Sequence, residues 1–272
     1  CLCRDMTTDL QDGTSSRTSA EDWLHAMKSS SPSLWRKSAS RSRKSSASRS
    51  MRSSSQWRSS SRGKRAPSKS PPCPYPWNTL IIFDWDDTLL CSTALQADLG
   101  PGVSQSSLDA LGKLVLSLLE LAQSLGTVAI VTNSERGWVP GSAAKFLPSL
   151  LPALSQIPII YARESSGVSS TDTKQWKVQA FLDLQRTVGS SITNIMVVGD
   201  SNDEMLAAGA LEKNWPGVLV KQVKFRARSS NPELMQQLGV LKQELQTLVG
   251  SRDVQKLQML LDPTEGTQAV VA

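Results

Sequence analysis

The most informative stretch of this chain is Ile81–Leu90, which reads IIFDWDDTLL. Its apolar beginning is typical of a buried β-strand, which delivers two carboxylates, Asp84 and Asp86, into the turn that follows. Because alternate residues of a strand share a face, both acids can face one site while Trp85 points away. Open α/β folds bind ligands at this end of their strands. Two carboxylates held close together need a cation or a shared proton, so the stretch predicts a site of chemistry rather than an acidic surface turn.

From Trp77 onward, strand and helix signals alternate along the chain. Apolar residues at three- and four-residue steps from Leu108 to Leu125 predict a long helix between the first two strands, and those from Leu234 to Leu248 predict a C-terminal helix. Further helices are predicted at about residues 142–154 and 174–187. Strands are predicted at residues 79–84, 127–131, 157–161, 194–199 and 217–224. This alternation predicts an α/β fold, a Rossmann-like doubly wound parallel sheet of about five strands with helices on both faces.

Charge divides the 272-residue chain into a basic and an acidic part. Residues 1–76 hold 15 Lys or Arg and 5 Asp or Glu, whereas the remainder holds 15 and 19. Residues 28–69 carry 13 basic residues and no acidic one, a composition that cannot bury enough apolar surface to offset the entropy of ordering. We therefore predict four parts: an N-terminal segment able to form a short helix, a disordered Ser/Arg-rich basic linker, a folded domain and a flexible C-terminus, over residues 1–27, 28–76, 77–262 and 263–272.

The basic linker at residues 28–76 leaves three roles open. It can be a plain phosphorylatable spacer, a patch for nucleic acid, protein partners or nuclear import, or an organellar transit segment. No apolar run approaches the roughly 18–20 residues that span a bilayer, and the first 30 residues lack the apolar core of a secretory signal. The four cysteines are few, which favours a reducing compartment. We expect an intracellular protein of the cytoplasm or nucleus, with organellar targeting left open.

The chain contains a single histidine, His25, which lies in the basic part. A Ser-His-Asp or Cys-His site in the folded domain is therefore excluded, as is a histidine-rich metal centre. Catalysis in that domain has to use Asp, Glu, Lys, Ser, Thr and backbone groups.

Residues able to do chemistry also lie at the ends of later predicted elements. Because the carboxyl ends of parallel strands meet at one edge of the sheet, these residues can share one pocket with the two acids. They are Thr132 and Asn133 after the second strand, Lys174 and Lys177 at the start of the helix before the fourth strand, and Asp200, Asp203 and Glu204 after the fourth strand.

This order of residues resembles that of the haloacid dehalogenase-like hydrolase superfamily, over about residues 77–225. The segment Asp84–Thr88 matches the DxDx[T/V] signature of that family. Thr132 matches the residue that ends the family's second motif. The lysine of the third motif corresponds to Lys177 or Lys174, and the acidic fourth motif to Asp200 with Asp203 or Glu204.

The resemblance implies a Mg²⁺-dependent phosphatase that works through an aspartyl-phosphate. Asp84 would be the nucleophile and a metal ligand, and Asp86 would transfer the proton and offer its carbonyl to the metal. Asp200 would complete the metal site, with either Glu204 or Asp203 contributing directly or through water. The phosphate would be bound by Thr88, Thr132, Asn133 and one of the two lysines, Lys174 or Lys177.

The presence of Asp86 favours a phosphatase over dehalogenase and phosphonate-cleaving relatives, which lack this second acid. The segments between Leu90 and the first long helix and between Tyr161 and Lys174 are too short for a cap domain, so we expect an open site. An open site suits a phosphorylated macromolecule or a weakly bound small substrate. The competing hypothesis is a non-catalytic binding or scaffold protein on the same fold, with RNA or partner contacts through the basic linker.

Overall fold

The computed structural model of the chain describes residues 78–97, 103–165, 172–253, 255–262 and 266–271. The short helix predicted within residues 1–27 and the disorder predicted for residues 28–76 lie outside the described residues.

Seven strands form one sheet in the order β3-β2-β1-β4-β5-β6-β7. Strands β1 to β6 run parallel to one another, and β7 runs antiparallel to β6. The direction of winding reverses between β1 and β4, which is the arrangement of a Rossmann-like doubly wound sheet. The strands are β1 Thr79–Phe83, β2 Thr127–Thr132, β3 Ile159–Tyr161, β4 Asn194–Gly199, β5 Leu219–Lys224, β6 Gln255–Asp262 and β7 Gly266–Val271.

Helices cover both faces of the sheet, so the predicted α/β fold class is confirmed. Alternate residues of β1 divide the core: Ile81 and Phe83 pack with α2, α3 and α7, whereas Leu80 and Ile82 pack with α5 and α6. None of the described helices is both long and apolar enough to cross a membrane. The helices are α1 Ser92–Gln96, α2 Gln105–Leu125, α3 Trp138–Phe146, α4 Leu151–Leu154, α5 Thr173–Val188, α6 Asn202–Asn214 and α7 Asn231–Gly250, with 3-10 turns at Pro148–Leu150, Ala162–Glu164 and Gly189–Ser191.

The prediction of one continuous helix at residues 142–154 is wrong. Helix α3 begins earlier, at Trp138, and ends at Phe146, and a separate helix, α4, begins only at Leu151. Pro148 explains the break, because a proline lacks the N–H that continues a helix and drives the preceding residue out of the helical region. Leu147 accordingly has φ −134° and ψ 56°.

The prediction of about five strands is also corrected, and residues 266–271, which were predicted to belong to a flexible C-terminus, form a strand. Strand β6 extends the sheet beyond β5, and β7 folds back on it with Leu257 opposite Val271 and Asp262 opposite Gly266. Strand β6 pairs on one side with β5 and on the other with β7. These backbone pairings depend on the partner strands rather than on any strict alternation within the sequence of β6.

The sheet brings three loops to one place. Strand β1 lies between β2 and β4, so the residues that follow these three strands meet at the carboxyl edge of the sheet. The Asp84 N–H donates to the Val198 carbonyl at 2.9 Å, which continues the β1–β4 pairing into the turn. This edge is the switch point of the sheet, where ligands of doubly wound folds bind.

Candidate functional site

The turn after β1 is held in one conformation by Asp87. This residue has a positive φ of 54°, and its N–H donates to the Leu90 carbonyl at 2.7 Å. The Asp87 carboxylate accepts hydrogen bonds from the Thr93 N–H at 2.9 Å and from the Thr93 hydroxyl. The Asp87 carboxylate is thus hydrogen-bonded within this segment, and these bonds help to fix the positions of Asp84 and Asp86.

A buried ion cluster joins Asp84 to the two helices on one face of the sheet. Lys177 of α5 donates from Nζ to Asp84 Oδ1 at 2.6 Å and also contacts Glu204 Oε1 of α6. The side chains of Asp84, Lys177 and Glu204 are 6%, 3% and 3% exposed. Glu204 Oε2 accepts from the N–H and hydroxyl of Ser201, which forms the capping box that begins α6. The spacing of Ser201 and Glu204 is a capping signal that is readable from sequence.

The cluster holds more negative charge than its lysine can neutralise. Burial alone would lower the pKa of Lys177, but the Asp84 and Glu204 carboxylates raise it above its usual value. Burial opposes the charge of Glu204, yet Lys177 and the Ser201 donors hold the pKa of this acid below its usual value. Burial raises the pKa of Asp84 well above its usual value, and repulsion from Glu204 adds to this. Asp84 and Glu204 therefore share the single positive charge of Lys177, and Asp84 is the less well compensated of the two.

Asp200, after β4, is the next acid beside this cluster. Burial, followed by repulsion from Glu204 and Asp87, raises its pKa to about 7. The hydroxyl of Thr88 lies 3.5 Å from both Asp84 Oδ2 and Asp200 Oδ1 and so connects the two acids. The main-chain carbonyl of Asp200 accepts a hydrogen bond from Lys224 Nζ at 2.5 Å, a contact that was not predicted from sequence.

Gly199 allows Glu204 to approach the end of β4. A Cβ at this position would lie 2.4 Å from Glu204 Cγ and 2.8 Å from its Cδ. The absence of a side chain at residue 199 is therefore a condition for the Glu204–Lys177 contact.

Gly199→Ala should destabilise the domain by about 1–3 kcal/mol, because overpacking forces Glu204 or the strand to move. Gly209→Ala is the matched control, since Gly209 lies within α6 and a Cβ there meets nothing within 4 Å. This control should be neutral or stabilising by up to about 1 kcal/mol through helix propensity. Urea unfolding measures both changes, and equal stabilities of the two variants would contradict the close approach.

Asp86 is held apart from the ion cluster by the loop after β2 and by α3. Its Oδ2 accepts from the Ser134 hydroxyl at 2.7 Å and lies 3.4 Å from Thr132 Oγ1. Its Oδ1 accepts from Trp138 Nε1 at 2.8 Å. The roles of Ser134 and Trp138 at Asp86 were not predicted, and no local pattern signals the tryptophan contact because it joins positions 52 residues apart.

The remaining predicted residues divide between the site and its margin. The buried Oδ1 of Asn133 has no hydrogen-bond partner, so this side chain at the edge of the site has an acceptor to offer. Lys174 is exposed on the first turn of α5, whereas Lys177 lies in the ion cluster. Asp203 is half-buried in the first turn of α6, and burial followed by repulsion from Glu204 raises its pKa.

Two exposed ion pairs cross between the loops that follow β2 and β3. Arg136 binds Glu164, and Arg163 binds Glu135 at 2.9 Å. The guanidinium of Arg163 also lies 4.9 Å from the ring centre of Trp176. Exposed pairs of this kind contribute little to stability, so their main consequence is a charged and aromatic rim along this side of the site.

The acids of the site set limits on a metal centre. Within the described part of the chain, no group of three or more His, Cys, Asp and Glu side chains is placed so that it could hold a metal ion. The site nevertheless places Asp84 and Glu204 around Lys177, with Asp200 joined to Asp84 through the Thr88 hydroxyl. The carboxylates of Asp84, which shares Lys177 with Glu204, and of Asp200 fit a hard divalent ion that takes few protein ligands and keeps several waters.

Comparison with known proteins returned no match for this chain, either among protein-family models or among curated proteins.

Proposed function

We propose that this protein is a Mg²⁺-dependent phosphatase of the haloacid dehalogenase-like type, which hydrolyses phosphoric monoesters through an aspartyl-phosphate on Asp84. The observation that carries this proposal is the division between two acids of one turn. Asp84 is buried against Lys177 at the switch point of the sheet, whereas Asp86 is held separately by neutral donors. A nucleophile and a proton-transfer group need such different environments.

The residues that would hold the ion are Asp84 and Asp200, through their carboxylates, and Asp86, through its main-chain carbonyl. This set contains two acidic side chains and one main-chain oxygen. Both oxygens of Glu204 are engaged, so we assign this residue to orienting Lys177 rather than to direct ligation. When bound, the ion would supply the positive charge that lets an anionic phosphate approach an aspartate.

The residues of the chain divide the reaction between them. A carboxylate oxygen of Asp84 attacks phosphorus while Asp86 gives its proton to the leaving oxygen. Asp86 then takes a proton from the water that hydrolyses the aspartyl-phosphate. Lys177, Thr132 and the Asn133 N–H stabilise the negative charge on the equatorial oxygens of the phosphoryl group. Stabilisation of this charge is the main contribution that a protein makes to phosphoryl transfer.

The lengths of the segments beside the site favour a phosphorylated macromolecule as the substrate. Residues 91–104 separate the turn after β1 from α2, and their described part contains only the five-residue helix α1. Residues 162–172 between β3 and α5 begin with a 3-10 turn and are shorter still. Neither segment is long enough to form a cap domain over the site. The basic linker at residues 28–76 is a candidate second contact for such a substrate, in the cytoplasm or nucleus.

Removal of Mg²⁺ tests the proposal with the full chain. We expect turnover of p-nitrophenyl phosphate in Mg²⁺ and a loss of at least about 10²-fold in EDTA, because the ion stabilises transition-state charge worth several kcal/mol. Activity should return with Mg²⁺ but not with Ca²⁺, which demands more ligands at longer distances.

Thermal unfolding provides a second readout that does not depend on activity. Asp200 keeps its proton up to a pH near its pKa of about 7, and a protonated carboxyl does not ligate Mg²⁺. The stabilisation by Mg²⁺ should therefore be larger at pH 8 than at pH 6, and Asp200→Asn should abolish it. A chain that neither responds to Mg²⁺ nor hydrolyses aryl phosphates, phosphopeptides or small phosphate esters would support the scaffold hypothesis instead.

A further inference from the structure

Two tryptophans, Trp138 of helix α3 and Trp85 of the turn after β1, form hydrogen bonds that join this turn to the helix. Trp138 donates from its indole Nε1 to Asp86 Oδ1 at 2.8 Å. The carbonyl of Trp138 accepts from the Ser142 hydroxyl at 2.7 Å, and the oxygen of that hydroxyl accepts from Trp85 Nε1 at 3.0 Å. Since Trp85 and Asp86 are neighbours in the chain, these bonds form a closed circuit. Within this circuit, the Trp138 indole bond is the one that reaches the carboxyl of Asp86.

The donors on the two oxygens of Asp86 differ in what they can do. An indole N–H only donates, so it requires Oδ1 to be an acceptor. A proton on Oδ1 would compete with the indole N–H, whose nitrogen lies 2.8 Å from that oxygen. The hydroxyls of Ser134 and Thr132, beside Oδ2, can donate to a carboxylate or rotate and accept from a carboxylic acid. The surroundings of Asp86 therefore accommodate a proton on Oδ2 and reject one on Oδ1.

We propose that Trp138 is a positioning residue that confines the transferable proton of Asp86 to Oδ2, the oxygen beside Ser134 and Thr132. This inference rests on the proposed phosphatase function.

Each half of the reaction then passes one proton through the same atom. In the first, an Asp84 oxygen bonds to phosphorus, the bond from phosphorus to the leaving oxygen breaks with its electron pair on that oxygen, and the Oδ2 proton moves there. In the second, a water oxygen bonds to phosphorus, the Asp84–phosphorus bond breaks with its pair returning to Asp84, and a water proton returns to Oδ2. Loss of the indole N–H would let the carboxyl turn and place the proton on either oxygen.

Trp138→Phe is expected to weaken proton donation without removing it. p-Nitrophenolate leaves without needing a proton, whereas an alkoxide does not, so we compare kcat/KM for p-nitrophenyl phosphate and glycerol phosphate. This ratio reports the step in which the leaving group departs. The variant should keep kcat/KM for p-nitrophenyl phosphate within about threefold of the parent value. Its kcat/KM for glycerol phosphate should fall by about 10- to 100-fold, which is a part of the 10²–10⁴-fold that general acid catalysis supplies.

Trp85→Phe is the matched control for this substitution. It also removes one indole N–H that bonds to a side-chain oxygen, that of Ser142, but it removes no bond to Asp86. Both variants should unfold at lower temperature than the parent chain, while the ratio between the two substrates should change only in Trp138→Phe. A merely structural role of Trp138 would lower both substrates together, as in Trp85→Phe.

The indole ¹⁵N–¹H resonances provide a readout that does not depend on turnover. The Trp138 signal, identified as the one missing in Trp138→Phe, should move when Asp86→Ala removes its acceptor. A signal that does not move, or equal losses on the two phosphates in an active enzyme, would overturn the inference alone. A parent chain that hydrolyses neither phosphate would overturn the proposed function and this inference with it.

Discussion

Asp84→Asn should reduce phosphatase turnover by at least about 10⁴-fold, because an amide cannot form the aspartyl-phosphate. The same change should raise, not lower, the thermal stability of the domain. Burial opposes the charge on Asp84, and Lys177 keeps Glu204 as its partner when that charge is removed. Mg²⁺-dependent hydrolysis of p-nitrophenyl phosphate and thermal unfolding without Mg²⁺ measure the two effects.

An exposed acid supplies the control for Asp84→Asn. Asp109 lies on the outer face of α2 and accepts a hydrogen bond from Gln105 at 3.0 Å. Asp109→Asn changes the same atoms and the same charge, and it should leave both turnover and stability close to those of the parent chain. If Asp84→Asn retained turnover, Asp84 would not be the nucleophile. If it were inactive and also less stable, the loss of activity would reflect damage to the fold.

Lys177→Met should destabilise the domain by about 3–5 kcal/mol, because removing one partner of a buried ion pair leaves charge uncompensated. Here two buried carboxylates, those of Asp84 and Glu204, would face each other without their shared cation. Urea unfolding at pH 7 gives the change in free energy of unfolding. Turnover should be lost as well, since Lys177 also stabilises the phosphate oxygens in the proposed mechanism.

Lys174→Met is the matched control, because this lysine lies one turn earlier on the same helix and is exposed. It should change the free energy of unfolding by less than about 0.5 kcal/mol and leave turnover in place. Combining Lys177→Met with Asp84→Asn and Glu204→Gln should recover much of the stability but none of the activity, since no uncompensated charge remains. A large effect of Lys174→Met together with a small one of Lys177→Met would reverse the assignment of the lysine.

Elements whose stability comes from their own apolar pattern were predicted well. The five strands β1 to β5 and the helices α2, α5 and α7 each carry a local apolar pattern, so short windows of sequence contain their signal. The break at Pro148 was also present in the sequence, but the apolar residues around it favoured a continuous helix. Strand β6 and its hairpin partner β7 lacked such a signal, because their pairing depends on the exposed edge of β5.

The chemistry of the site follows the same division. Which residue types are present is a property of the chain: a strand that ends in Asp84 and Asp86, an acidic turn after β4, and no histidine beyond residue 25. These residue types favour the phosphatase reaction that we propose. How the acids differ is a property of the fold, because burial and contacts across 93 and 52 positions place Asp84 against Lys177 and Asp86 against Trp138. Charge and hydrogen-bond environment arise only from side chains that meet in space, so sequence identified the pair and tertiary structure gave its two acids different surroundings.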